Sequence, residues 1–165
     1  MASGEGEWWR STDWSGVGVE QVRRKIEQEP RWVRESDRGG YLPLHRALEH
    51  QASSEMVGAL LEAHPEAARE KDQNGCLPLH TALTFEAPYE VVVALLEAHP
   101  EAAREKNRYG NLPLQWALIT KASHEVFAAL LNVYPEAARE KNLAGDFPAY
   151  LLSGHRPAEE GVLEG

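Results

Sequence analysis

Two histidines, His45 and His80, stand 35 residues apart in the same tripeptide, Pro-Leu-His, and Cys76 lies four residues before the second. Imidazoles at a fixed spacing could ligate a metal or act as general bases, and a thiol near an imidazole is the raw material of a cysteine nucleophile. The spacing itself speaks for a humbler role. The third copy of the tripeptide ends in Gln115, which does not titrate, and a second recurring pair, His64 and His99, meets Tyr134 at its third place. A metal with one ligand per copy would have to bridge successive copies. Cys76 occupies a place that reads Tyr41, Cys76, Asn111 and Asp146 along the chain, so its thiol is a chance occupant of a variable position. G-x-S-x-G, a Walker-type loop, H-E-x-x-H and paired C-x-x-C strings are absent from the sequence. The expectation is a chain without catalysis, cofactor or metal.

Residues that recur at a fixed step must be held by elements that recur at the same step. Pro30, Pro65, Pro100 and Pro135 keep the 35-residue spacing, as do Pro43, Pro78, Pro113 and Pro148, and Gly40, Gly75, Gly110 and Gly145. Each unit opens with D/N-x-x-G, a tight-turn string, because a short Asx side chain bonds its own downstream backbone and Gly accepts a positive φ. This predicts a β-hairpin-like finger. Three residues after the Gly, a Pro suits the first turn of a short helix, predicted from Pro78 to about Phe85, with Leu79, Ala82 and Leu83 on one face. A polar break ends it, and in "EVVVALLEAH" the positions Val91, Val92, Leu95 and Leu96 form the stripe of a longer helix. Pro100 starts one more turn, with acids first and Arg104 and Lys106 last, as the helix dipole favours.

The ends of such a stack should turn polar where no neighbour covers them. In "VEQVRRKIEQEP" the places of Leu60, Leu95 and Leu130 are taken by Lys25, and those of Gly58, Val93 and Ala128 by Arg23, which reads as an N-terminal cap. At the other end Glu160 and Val162 stay in register before Gly165. Either this stub caps the stack or the sequence is one piece of a longer protein. The division is a flexible Trp-rich tail over 1–18, then one repeat domain over 19–165: a half repeat 19–36, full repeats 37–71, 72–106 and 107–141, and a truncated repeat 142–165. Trp8, Trp9 and Trp14 of the tail either pack over the open edge of the first repeat, the preferred reading, or form a linear motif for a partner.

At 165 residues one domain with a sizeable core is the expected count. Seventeen Lys and Arg against 26 Asp and Glu give a formal charge of −9, which disfavours nucleic acid and anionic membranes as partners. One cysteine cannot form an internal disulfide, the N-terminus has acids where a signal peptide needs bases, and no 18 apolar residues run together. These point to a soluble monomer in the cytoplasm, with the nucleus as the alternative.

Residues 72–83, "DQNGCLPLHTAL", carry D-x-x-G followed by P-L-H-x-A at Asp72, Gly75, Pro78, Leu79, His80 and Ala82. With a second helix ending in paired leucines, the chain resembles the ankyrin-repeat family over about residues 19–163. It departs at the Thr before the Pro, which is Leu42, Leu77 and Leu112 here, so the hydroxyl that caps the helix and bonds the His is missing. Gln115 replaces one His, and the step is 35 residues rather than 33.

The resemblance implies an all-α repeat solenoid in which Pro43, His45, Gly75, Pro78, His80, Gly110, Pro113 and Gln115 serve structure. It also implies a non-catalytic protein-binding module, an adaptor or scaffold, whose finger tips and short helices form a groove. There the variable residues Arg38, Tyr41, His50, Gln73, Asn74, Phe85, Arg108, Tyr109, Asn111 and Thr120 would meet a partner protein. The aromatic residues and Arg108 stand out, since such side chains dominate binding hot spots. Trp116 is expected in the core. A regulatory or targeting segment of a larger protein, and a structural spacer motivated by the near-identical "PEAAREK" copies, are the alternative functions.

Overall fold

The structure, a computed structural model, describes residues 8–10, 12 and 14–148. The expected register through Glu160 and Val162 lies outside the described residues, as does the start of the tail. Seven helices follow in order: α1 (Val19–Gln28), α2 (Pro43–Glu49), α3 (Ser54–Ala63), α4 (Pro78–Thr84), α5 (Tyr89–Ala98), α6 (Pro113–Thr120) and α7 (His124–Val133). The short helices α2, α4 and α6 pack in one row, and the longer α1, α3, α5 and α7 in a second. Within a unit the two helices of a pair pack together, α2 on α3, α4 on α5 and α6 on α7. After each pair the Pro-initiated turn is a 3-10 helix, Pro65–Arg69, Pro100–Arg104 and Pro135–Arg139.

The fingers are turns, and no strand forms among the described residues, which corrects the hairpin-like expectation. In the second finger the Gly75 N–H donates to the Asp72 carbonyl at 2.9 Å and the Asp72 N–H to the Cys76 carbonyl at 3.0 Å. The Asp72 carboxylate accepts the N–H groups of Asn74 and Cys76 at 2.8 and 2.9 Å. Gly75 has φ +68°, a conformation that costs an L side chain roughly 1–2 kcal/mol. The first three fingers are joined by one backbone bond at each of their two junctions, Gln73 N–H to the Gly39 carbonyl at 3.0 Å and Arg108 N–H to the Asn74 carbonyl at 3.3 Å. One bond per junction is too few for a ladder.

Each short helix starts without its hydroxyl cap in the way that half a capping box allows. The third helical residue turns its side chain back to the N–H of the capping leucine: Leu42 N–H donates to His45 Nδ1 at 3.2 Å, Leu77 N–H to His80 Nδ1 at 3.3 Å, and Leu112 N–H to Gln115 Oε1 at 2.8 Å. Leu44, Leu48, Val57, Leu60, Leu79, Leu83, Val92, Leu95 and Leu114 then fill one continuous core along both rows. At the last junction Leu131, whose counterparts Leu61 and Leu96 are buried, is exposed.

At the N-terminal end α1 packs on α3 through Val22 and Ile26, with Arg23 exposed and paired with Glu62. Residues 8–18, read from sequence as a tail, include two 3-10 turns whose Trp9 and Trp14 are buried. Trp8 and Trp14 lie 5.1 and 6.3 Å from the ring of Trp32, and the Trp14 indole N–H donates to the Trp9 carbonyl at 3.2 Å.

Sequence patterning did not reveal how α2, α4 and α6 end. One or two residues past the helix ends, Gln51, Glu86 and Lys121 adopt φ of +52°, +54° and +58°, and Ala52, Ala87 and Ala122 return N–H bonds of 2.9 Å to the carbonyls of Ala47, Ala82 and Ala117. This left-handed closure normally recruits glycine. Glu86→Gly removes the steric cost and an acid from the negative end of α4, and is expected to stabilise the fold by about 1 kcal/mol. Thermal unfolding followed by circular dichroism would show a raised midpoint; a lowered one contradicts the account.

Candidate functional site

Three successive fingers and the exposed edges of α2, α4 and α6 enclose a cleft of about 260 Å³. Tyr41, Asn74, Arg108 and Tyr109 reach it from the fingers, and Glu49, Thr81, Thr84, Phe85 and Trp116 from the short helices or their ends. Its walls are cross-braced. The Trp116 indole N–H donates to Thr84 Oγ1 at 2.8 Å, and the Thr84 hydroxyl donates to the His80 carbonyl at 2.8 Å. Tyr109 stacks on Trp116, with ring centroids 6.2 Å apart and planes 3° from parallel. The Arg108 guanidinium lies over Tyr109 at 4.7 Å and donates to Asn74 Oδ1 at 2.6 Å and to the Tyr109 hydroxyl. At the opposite end the Arg46 guanidinium covers Tyr41 at 4.4 Å and pairs with Asp37 and with Glu49. Burial pushes the Asp37 carboxyl up, but Arg46 and the N–H groups of Tyr41 and Gly39 outweigh it and hold it below the usual carboxylate range.

Of the residues the sequence singled out, Tyr41, Asn74, Phe85, Arg108 and Tyr109 converge on this cleft. Arg38 and Gln73 are exposed on the first and second fingers outside it, and His50 is exposed at the end of α2. One expectation is corrected. Asn111 is buried: its Oδ1 accepts from Asn142 Nδ2 at 3.3 Å and its carbonyl bonds His80, so it ties units together. The Thr120 hydroxyl donates to the carbonyls of Trp116 and Ala117, within its own helix.

Trp116, expected in the core, is half-buried and forms a wall of the cleft. Helical periodicity alone cannot separate core from rim one residue away from the stripe. The register does separate them, because Trp116 follows Arg46 and Thr81, both polar. Cys76 also lines the cleft and is half-buried. Burial and then the Asp72 charge push its thiol up to about 11, so at neutral pH it is a protonated, weak nucleophile.

His45 and His80 sit at the base of the fingers, fully buried. Since Nδ1 of each accepts a leucine N–H, the proton resides on Nε2, which in His80 donates to the Asn111 carbonyl at 3.4 Å. Gln115 fills the same role with Nε2 donating to the Glu140 carbonyl at 2.8 Å. The imidazole is used for its shape and hydrogen bonds, which an amide reproduces. Among the described residues no group of three His, Cys, Asp or Glu is placed to hold a metal ion, and no helix is long and apolar enough to cross a membrane.

On the return side, Lys71 pairs with Glu105 at 2.7 Å and Lys106 with Glu140 at 2.9 Å, each across a junction. These pairs give the recurring "PEAAREK" a structural reason, since its Glu and Lys meet the neighbouring copy. Being exposed, each contributes at most about 1 kcal/mol.

A family model described as ankyrin repeats, in three copies, matches residues 44–142. No curated protein matches the chain.

Burial holds the protonation of His45 and of His80 down to about 4, against an ordinary 6.5. The unfolded chain therefore takes up protons that the folded chain refuses between those values. Stability is expected to be full above pH 6.5 and to fall as pH drops from 6.5 toward 4. His80→Gln, which copies Gln115, is expected to fold and to flatten that loss. Denaturant unfolding at pH 7 and pH 5 measures it; an unchanged pH dependence in the variant would refute the assignment.

Proposed function

The chain belongs to the ankyrin-repeat family, and on that premise we propose that it is a non-catalytic adaptor or scaffold that holds a segment of a partner protein in the cleft between its fingers and short helices. Ankyrin repeats are in general protein-interaction modules. The observation that carries the reading here is the convergence of Tyr41, Phe85, Tyr109 and Trp116, drawn from three successive units, on one cleft. Phe85 and Tyr109 are 37% and 49% exposed, so apolar area is presented to solvent where it can be covered. The cross-bracing of Trp116, Thr84, Tyr109 and Arg108 holds those rings in place before a partner arrives, which lowers the entropy lost on association. The protein acts as a monomer in the cytoplasm or nucleus, and its formal charge of −9 disfavours nucleic acid as the partner.

Affinity capture from source-cell lysate, comparing the native chain with one carrying Tyr41, Phe85, Arg108 and Tyr109 all changed to Ala, tests this. With matched circular dichroism spectra, proteins held by the native chain and lost by the variant are expected. The same set on both, or none on either, would sink the cleft as the binding site.

A further inference from the structure

We propose that the cleft takes an extended partner segment in which an Asp or Glu side chain lies next to an apolar one; this rests on the reading of the cleft as a protein-binding site. The apolar requirement comes from Phe85 and the Tyr109–Trp116 stack. The acidic requirement comes from how the charges around them are engaged.

Two arginines bound the cleft, Arg46 at one end and Arg108 at the other. Arg46 is taken by Asp37 and Glu49, Lys71 by Glu105, and Lys106 by Glu140. Arg108 is different. Its guanidinium is exposed and is oriented by neutral groups, the Tyr109 ring, the Tyr109 hydroxyl and Asn74 Oδ1, with no carboxylate of a described residue in ion-pair distance. A guanidinium has five N–H donors and two nitrogens are engaged, so a fork remains open to solvent.

The anions at the cleft are already satisfied. Glu49 is paired with Arg46, and the buried Asp72 carboxylate accepts the N–H groups of Asn74 and Cys76 and the Asn74 amide at 3.3 Å. An incoming cation would therefore compete for occupied groups, whereas an incoming carboxylate finds an oriented and unpaired guanidinium. The finger row extends the match: Arg38, at the place of Arg108 in the first finger, is likewise exposed and makes no ion pair with a described residue. Two unpaired arginines on the finger side of an acidic chain favour a segment that carries acids outward from an apolar anchor.

Selection of a phage-displayed library of random, unphosphorylated peptides against the full chain tests the proposal. Enriched peptides are expected to carry Asp or Glu beside Leu, Ile, Phe, Tyr or Trp, and to bind Arg108→Gln about tenfold more weakly. Selection against Arg108→Glu is expected to enrich Lys or Arg at the same place. Peptides that lose binding to a Phe85→Ala/Tyr109→Ala variant, yet show no acidic preference and bind Arg108→Gln equally well, would overturn the carboxylate class and leave the cleft reading standing. Peptides that bind the Phe85→Ala/Tyr109→Ala variant as tightly as the native chain, or no enrichment at all, would overturn the cleft reading and the proposal with it. Matching melting curves of all variants exclude loss of fold as the cause.

Discussion

A single finger and helix pair leaves the apolar side of both its helices bare, so each unit of this chain depends on burial against a neighbour. Val57, Val92, Leu60 and Leu95 are almost fully buried because another unit stands on each side of them. The 35-residue step follows from that dependence. Any insertion would move the leucines of one unit out of contact with the next, and the register of Pro, Gly and Glu is accordingly kept along the chain. The polar elements reinforce the stack at its two margins, by one backbone bond between successive members of the first three fingers and by Lys–Glu pairs on the return side.

That rigidity is also what makes a surface. The varying side chains Tyr41, Phe85, Arg108 and Tyr109 lie outside the common core, so they are free to differ without disturbing it. Phe85, Tyr109, Arg108 and Tyr41 meet in one cleft because identical backbones place different side chains at equivalent points of adjacent units. Buried His45 and His80 belong to the frame rather than to this surface: each closes a finger onto the start of a helix, and Gln115 shows that the task needs a hydrogen-bonding shape and no proton chemistry.

Much of this was legible in the residues. Pro at the first helical position, the D/N-x-x-G turn and the paired-leucine stripe each have a local cause, so helix order, the Pro-initiated return turns and the leucine core positions could be read off directly. Less legible were features whose cause lies in another unit. Asn111 varies like a contact residue but is buried, because the fourth finger covers it and Asn142 bonds it. The left-handed residues Gln51, Glu86 and Lys121 carry no glycine to announce them; the bonds from Ala52, Ala87 and Ala122 impose the conformation.

By itself the sequence determined the repeat, the family and the division into framework and variable positions, since these rest on periodicity and on interactions within a few residues of each other. Only the tertiary structure decided which variable residues share a cleft, that Trp116 is its wall rather than core, and that Arg108 pairs with no carboxylate of a described residue while Arg46 pairs with two. Those outcomes depend on contacts between residues about one repeat apart, where side-chain direction and the neighbour's shape, not local propensity, set the geometry.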